Sequence, residues 1–445
     1  MRPMKRVGVS LAIVLALGGC GLFGGKEDKR PKTPVIGKRV PILSGESAAE
    51  VDKALEGTQV VVPPPATNDA WAQSGGNAAK SMGHPNLGLP LGQAWSVSIG
   101  KGGNNRARLA AGPVVAENRV YTIDTTATVR AFTVANGSTV WETQLADGKT
   151  KDNPSLFGGG VAYEDGKVFA TNGVGQVAAL EASTGKVLWK VRPAGPLRGA
   201  PTLAFGNVFV VTQDNQLFAL SAADGSQVWN ASAAGATAGV FGVAAPAAGQ
   251  GTIVAGFSSG ELNAYRYENG RSLWQDSLSR TSISTAVAAL ADVDADPVID
   301  NGVVYAVGQG GRMVALELTT GQRQWEINLA GIRTPWVAGD WLFVITDDAR
   351  LMCIARATGK VRWISILPRW DNEKKKKGYI GWTAPVLAGG RLILASSDGR
   401  MANIDPETGS IQNEVKVKGS VSLSPVVAND TLFILTDDGR LSAWR

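Results

Sequence analysis

The sequence predicts an all-β fold, an eight-bladed β-propeller of four-stranded antiparallel blades, on three observations. A proline, a glycine 24 residues later and a tryptophan four residues after that recur along the chain. Short β-branched and apolar runs separated by turn residues fill the space between these markers. A tryptophan-bearing strand with no blade of its own precedes the first repeat, and the last repeat stops before its own fourth strand. Composition agrees with a large core and many turns: of 445 residues, 44% are hydrophobic and 18% charged, with 55 glycines and 21 prolines.

In chain order, Arg2, Lys5 and Arg6 precede an apolar run from Val7 to Leu17. That run has the length of a signal segment and is too short to span a hydrocarbon layer of about 30 Å. It ends in Leu17-Gly18-Gly19-Cys20. From Gly21 to about Pro65 the chain reads as a tether, highly charged over 26–32, extended at Pro63-Pro64-Pro65, with room for a short helix over 47–55. His84, the single histidine, lies between Gly83 and Pro85 and reads as an ordinary polar loop residue. The expected organisation is a signal segment over 1–19, a tether and leading segment over 20–89, and one propeller over 90–445.

The repeat markers are Pro113, Gly137, Trp141; Pro201, Gly225, Trp229; Pro246, Gly270, Trp274; Pro297, Gly321, Trp325; and Pro335, Gly359, Trp363. Gly160 stands for the proline before Gly185 and Trp189, and Asn413 for the tryptophan after Pro385 and Gly409. Pro425 opens an eighth copy that ends at Arg445. Within a unit, a short strand at the proline, two apolar strands such as 303–307 and 313–316, and a strand carrying the tryptophan make one blade. Proline suits a strand position whose N–H the ladder does not use, glycine a turn with positive φ, and tryptophan the packing between blades. The strand Gln93-Ala94-Trp95-Ser96-Val97 is expected to complete the eighth blade and close the ring, removing two sheet edges.

Chemistry is constrained by scarcity. Two cysteines and one histidine leave no internal disulfide framework, no Cys/His metal cluster and no haem-attachment motif, so neither a metal site nor a catalytic residue is expected. Cys353, in Leu351-Met352-Cys353-Ile354, reads as a small buried hydrophobe. The formal charge of +6 falls to +3 without residues 1–19, too little to argue for nucleic acid. Lys374 to Lys377 form a basic run on a long connection, read as a solvated loop or a contact for lipid headgroups or an acidic partner.

Two resemblances add to this reading. Leu17-Gly18-Gly19-Cys20 resembles the lipobox of bacterial lipoproteins, which implies lipidation of Cys20; Gly21 after it implies the outer membrane. Units ending in Thr184-Gly185-Lys186-Val187-Leu188-Trp189 and Thr358-Gly359-Lys360-Val361-Arg362-Trp363 resemble the PQQ-type repeat shared by quinoprotein dehydrogenases and by the BamB family, lipoproteins of the β-barrel assembly (BAM) complex. Trp71, Gly75-Gly76 and Trp95 are similar to the opening of quinoprotein sequences, which keeps a PQQ-dependent dehydrogenase as one alternative, a ligand-binding propeller being another. The segments Pro196-Leu197-Arg198-Gly199 and Leu290-Ala291-Asp292-Val293-Asp294 are similar to two BamB segments. That resemblance implies a non-enzymatic scaffold without cofactor, facing the periplasm. It also implies that Leu197, Arg198, Asp292 and Asp294 bind BamA through its POTRA region, and that unfolded outer-membrane proteins are possible clients. Arg198 and Asp294 each lie three residues before a blade proline, so both are expected on one exposed rim, where charge reversal leaves the fold intact.

Overall fold

Each repeat folds into four antiparallel strands that run outward from the central channel in sequence order. The computed structural model describes residues 49–146, 157–235, 242–279 and 292–445. The first blade comprises Val114–Ala116, Arg119–Ile123, Thr128–Thr133 and Thr139–Gln144. Six more follow, with inner strands Gly159–Glu164, Thr202–Ala204, Ala247–Gly249, Val298–Asp300, Trp336–Ala338 and Val386–Ala388. The eighth takes Val426–Ala428, Thr431–Leu435 and Arg440–Trp444 from the end of the chain and Gln93–Ser98 from its beginning, with Trp95 opposite Ala443 and Val97 opposite Leu441. The two middle strands of each blade are almost wholly buried because neighbouring blades cover both faces. Fourth strands bury mainly the tryptophan.

The spacing of glycine and tryptophan has a direct physical cause. Each tryptophan lies flat on the glycine turn of the next blade, at Trp95/Gly137, Trp141/Gly185, Trp189/Gly225, Trp229/Gly270, Trp274/Gly321, Trp325/Gly359 and Trp363/Gly409. A Cβ on any of these glycines would come within 2.7 Å of the ring, and all seven have φ between 69° and 76°. The indole N–H donates to the carbonyl three residues before that glycine, for example Trp274 to Leu318 at 2.7 Å and Trp325 to Arg356 at 2.8 Å. A joint between blades is therefore one ring, one missing side chain and one hydrogen bond.

The second blade corrects the repeat reading. Val161, not Gly160, occupies the proline position, since Ala162 faces Phe169 as Thr202 faces Phe209 in the third blade. Unlike proline, residues here keep their N–H groups, so the ladder extends back to Gly159, opposite Asn172. The inner strand has six residues in place of three.

The leading segment also differs from the tether that its composition suggests. Val51 bridges to Val361 of the sixth blade, Asp52 pairs with Lys360 at 3.0 Å, and the Arg362 guanidinium donates to the Thr58 carbonyl at 2.6 Å. Of the expected helix over 47–55, residues 47 and 48 lie outside the described residues, and the rest holds a single 3-10 turn, Lys53–Leu55. Beyond it the chain enters the channel. His84 is 5% exposed and joins two backbones: its Nδ1 lies 2.6 Å from the Pro63 carbonyl, and its Nε2 accepts the Gly390 N–H at 2.8 Å. Burial, not sequence context, decides its role. The basic run sits on a hairpin of Trp370–Asn372 and Lys377–Tyr379, with the lysines exposed at its tip. Cys353 is buried and free, and burial pushes its thiol up.

Candidate functional site

Connections from each fourth strand to the next inner strand emerge on one face of the ring, and three of them meet around Arg198. Backbone pairing fixes its position: Leu197 bridges to Thr212, the Arg198 N–H donates to Val211, and the Arg198 carbonyl accepts from Gly159. Leu197 packs with Phe169, Val208 and Phe218 and has no exposed surface. The Arg198 side chain crosses beneath the connection before the fourth blade. Its Nη2 donates to Asp292 Oδ1 at 2.7 Å and Asp294 Oδ1 at 3.3 Å, just before the fifth blade. Gly242, on the intervening connection, makes this possible, because a Cβ there would overlap the guanidinium.

The structure thus brings together the residues that spacing places in equivalent positions, but not on an exposed rim. Arg198 is 0%, Asp292 1% and Asp294 9% exposed, and they pair with one another. Charge reversal here would bury an unpaired charge, so the expectation of an undisturbed fold is overturned. The knot's hydrogen bonding is incomplete. Asp294 Oδ1 accepts the Val243 N–H at 2.7 Å, while Arg198 Nε and Nη1 and Asp292 Oδ2 have no partner among the described residues. Burial raises the Asp292 carboxyl above its usual range, against the opposing pull of Arg198.

Sequence reasoning missed the continuation of this network. Asp296 accepts the Ala245 N–H at 2.8 Å and the Ser74 hydroxyl at 2.7 Å, and its own N–H donates to Thr334 Oγ1 at 3.1 Å. Buried Lys80 donates to Thr202 Oγ1 at 3.2 Å, and burial pulls its ammonium down to about 8 although the Asp296 carboxylate opposes the shift. Burial likewise raises Asp296, with Lys80 opposing. The alternation Asp292-Val293-Asp294-Ala295-Asp296 was a usable signal, since an extended chain turns all three carboxylates to one side. Nothing in the sequence marked Lys80. The arrangement ties the third, fourth, fifth and sixth blades together. Among the described residues there is no cluster of metal-ligating side chains and no helix long and apolar enough to cross a membrane. Cys20 lies outside the described residues, as do Leu290 and Ala291.

A family model described as outer membrane protein assembly factor BamB matches residues 125–365 and 368–444. The assembly factor BamB of Escherichia coli (strain K12) is 36% identical over 352 residues, covering 78% of this chain and 86% of the relative. Among solved structures, BamB from Moraxella catarrhalis aligns with a TM-score of 0.69 at 21% identity, over 80% of this chain and 100% of that one. Quinohemoprotein alcohol dehydrogenase from Comamonas testosteroni aligns with a TM-score of 0.66 at 13% identity, over 85% and 81%. At such identities the two structures speak for the propeller alone.

Proposed function

The chain belongs to the BamB family of outer membrane protein assembly factors, and from that membership we propose that it binds BamA through the face carrying the Arg198 knot. It is a non-enzymatic component of outer-membrane protein assembly, associated with the outer membrane. In this reading a lipid on Cys20 holds it there, facing the periplasm, and the POTRA region of BamA docks on the connections before the third to fifth blades. Burial of Leu197, Arg198, Asp292 and Asp294 supports reading them as a frame that holds three neighbouring connections in register for the partner. The observation that carries this is the Arg198 bridge, which joins its own connection to two aspartates of another, 94 and 96 residues further along the chain. A rigid ring that fixes several loops suits a scaffold, whose affinity depends on loops being ordered before binding.

The test is affinity purification of the full-length protein from detergent-solubilised membranes. BamA should co-purify with the parent, and Cys20→Ser should release the protein from the outer-membrane fraction. Failure of the parent to recover BamA would overturn the proposal. A Cys20→Ser variant still acylated and outer-membrane bound would overturn the anchor.

A further inference from the structure

We propose that the propeller's central channel is a binding site for a looped polypeptide, and that residues 66–88, which turn back at Gln73–Gly76 and again at Asn77–Lys80, are the ligand it holds in cis. The segment lies ahead of the matched family region, which begins at residue 125.

The segment visits all eight blades in ring order. Asn68 Nδ2 donates to Val427 of the eighth blade at 2.6 Å. Trp71 exchanges both backbone hydrogen bonds with Val115 of the first, and Ala72 accepts from Tyr163 of the second. In the third blade, the Gln73 amide takes the place of a strand: its Oε1 accepts the Leu203 N–H at 2.9 Å and its Nε2 donates to the Leu203 carbonyl at 3.0 Å. Ala78 and Ala79 accept from Ala248 and Ile299 of the fourth and fifth blades. Gly83 accepts the Trp336 indole N–H of the sixth at 2.8 Å, and Pro85 the Gly389 N–H of the seventh at 3.0 Å. The circuit then closes on itself, since Ala66 donates to His84 and accepts from Asn86.

Val115, Tyr163, Leu203, Ala248 and Ile299 hold the same register position in their blades. Each inner strand leaves one edge unpaired toward the channel, and an open edge is a template for another chain. The first five blades therefore present N–H donors at one equivalent position, and the segment meets each of them once. Side chains add selectivity. Trp71 stacks on Trp336 with ring centroids 6.0 Å apart, and Lys80 reaches Thr202 beside Asp296. The ligand class is a peptide carrying an aromatic residue, a carboxamide two residues on, a Gly-Gly turn after it and a cation seven residues beyond the carboxamide.

Two experiments on the full-length chain test the site. In native-state hydrogen exchange, the N–H groups of Val115, Leu203, Ala248 and Ile299 should be protected like those of the middle strands, and Gln73→Ala should speed exchange at Leu203 about tenfold while leaving Ile299 unchanged. Rapid exchange at all four in the parent would overturn the proposal. A specific protease site inserted at exposed Leu89 then frees the segment covalently. The cleaved fragment should stay with the propeller through gel filtration and exchange with a fluorescent synthetic peptide of residues 66–88. The same peptide with Gln73→Ala and Lys80→Ala should compete at least about tenfold more weakly. Immediate loss of the fragment with no uptake of the labelled peptide refutes the site, and equal competition by both peptides refutes its selectivity.

Discussion

The outer wall and the channel wall of this propeller are fastened in opposite ways. Seven joints on the outside repeat one device, tryptophan on glycine, with the same acceptor carbonyl each time. On the channel side the partner group changes around the ring: a backbone pair at the first blade, a carboxamide at the third, an indole at the sixth, and plain carbonyl acceptors at the second, fourth and fifth. The comparison is sharpest at the eighth joint, between the seventh and eighth blades, which lacks both halves of the outer device. Asn413 replaces the ring, and no turn exists to receive one, because the chain ends at Arg445 and resumes at Gln93. There the inner fastening is densest: Gly389 donates to Pro85, Gly390 to His84, and buried Arg391 to the Gly88 carbonyl at 3.2 Å. A repeated fold can be closed at its irregular joint by a segment outside the repeat.

Breaking the outer device should have the largest effect. Trp325→Ala is expected to cost about 3 to 5 kcal/mol, read as a lower midpoint in denaturant. An unchanged midpoint would mean that the ring does not carry the joint. On the channel side, Arg198→Ala strands two buried carboxylates and should also cost about 3 to 5 kcal/mol. A loss under about 1 kcal/mol would show that water reaches them.

Lys80 gives a smaller, pH-dependent effect. The folded chain releases this proton near pH 8, whereas an ordinary lysine holds it to about 10.5, so between those values the folded state binds fewer protons. Stability should therefore rise with pH across that window, by at most about 3 kcal/mol, relative to Lys80→Met. Parallel pH profiles for the two proteins would contradict burial of the ammonium. Smallest of all, Asn413→Trp should change stability by no more than about 0.5 kcal/mol. A clear gain would show that the eighth joint lacked only its ring.

The contrast also explains what could be read in the sequence. Periodic features were legible because one steric requirement recurs: glycine where the ring lies, proline where no N–H is needed, and Trp95 as the strand left over for the last blade. The one slip within the repeat, Gly160 for Val161, came where proline was absent as a marker, although 24 residues counted back from Gly185 fall on Val161. Contacts that occur once left no such trace. The 49–88 segment has a tether's composition because it borrows strands and hydrogen bonds from the channel and does not bury a face of its own. At the candidate site, spacing brought Arg198 and Asp294 to equivalent positions, but an alternation of charged and apolar residues does not tell a rim from an interior. Gly242, which opens the space for the guanidinium, decided between them.

The central claim is that the Arg198 knot serves BamA by framing its docking face and not by touching it. Replacing all three charges together, Arg198→Met with Asp292→Asn and Asp294→Asn, removes the buried ions without stranding any, and such exchanges are often neutral or stabilising. The direct measurement is a binding titration of the purified BamA POTRA region against the parent, Arg198→Ala and this triple variant, with the melting temperature of each. The expected result is a triple variant that melts like the parent and binds within about threefold of it, under 1 kcal/mol, while Arg198→Ala loses both stability and affinity. A triple variant with the parent's melting temperature and no affinity would mean that BamA reads the charges themselves, and would contradict the account.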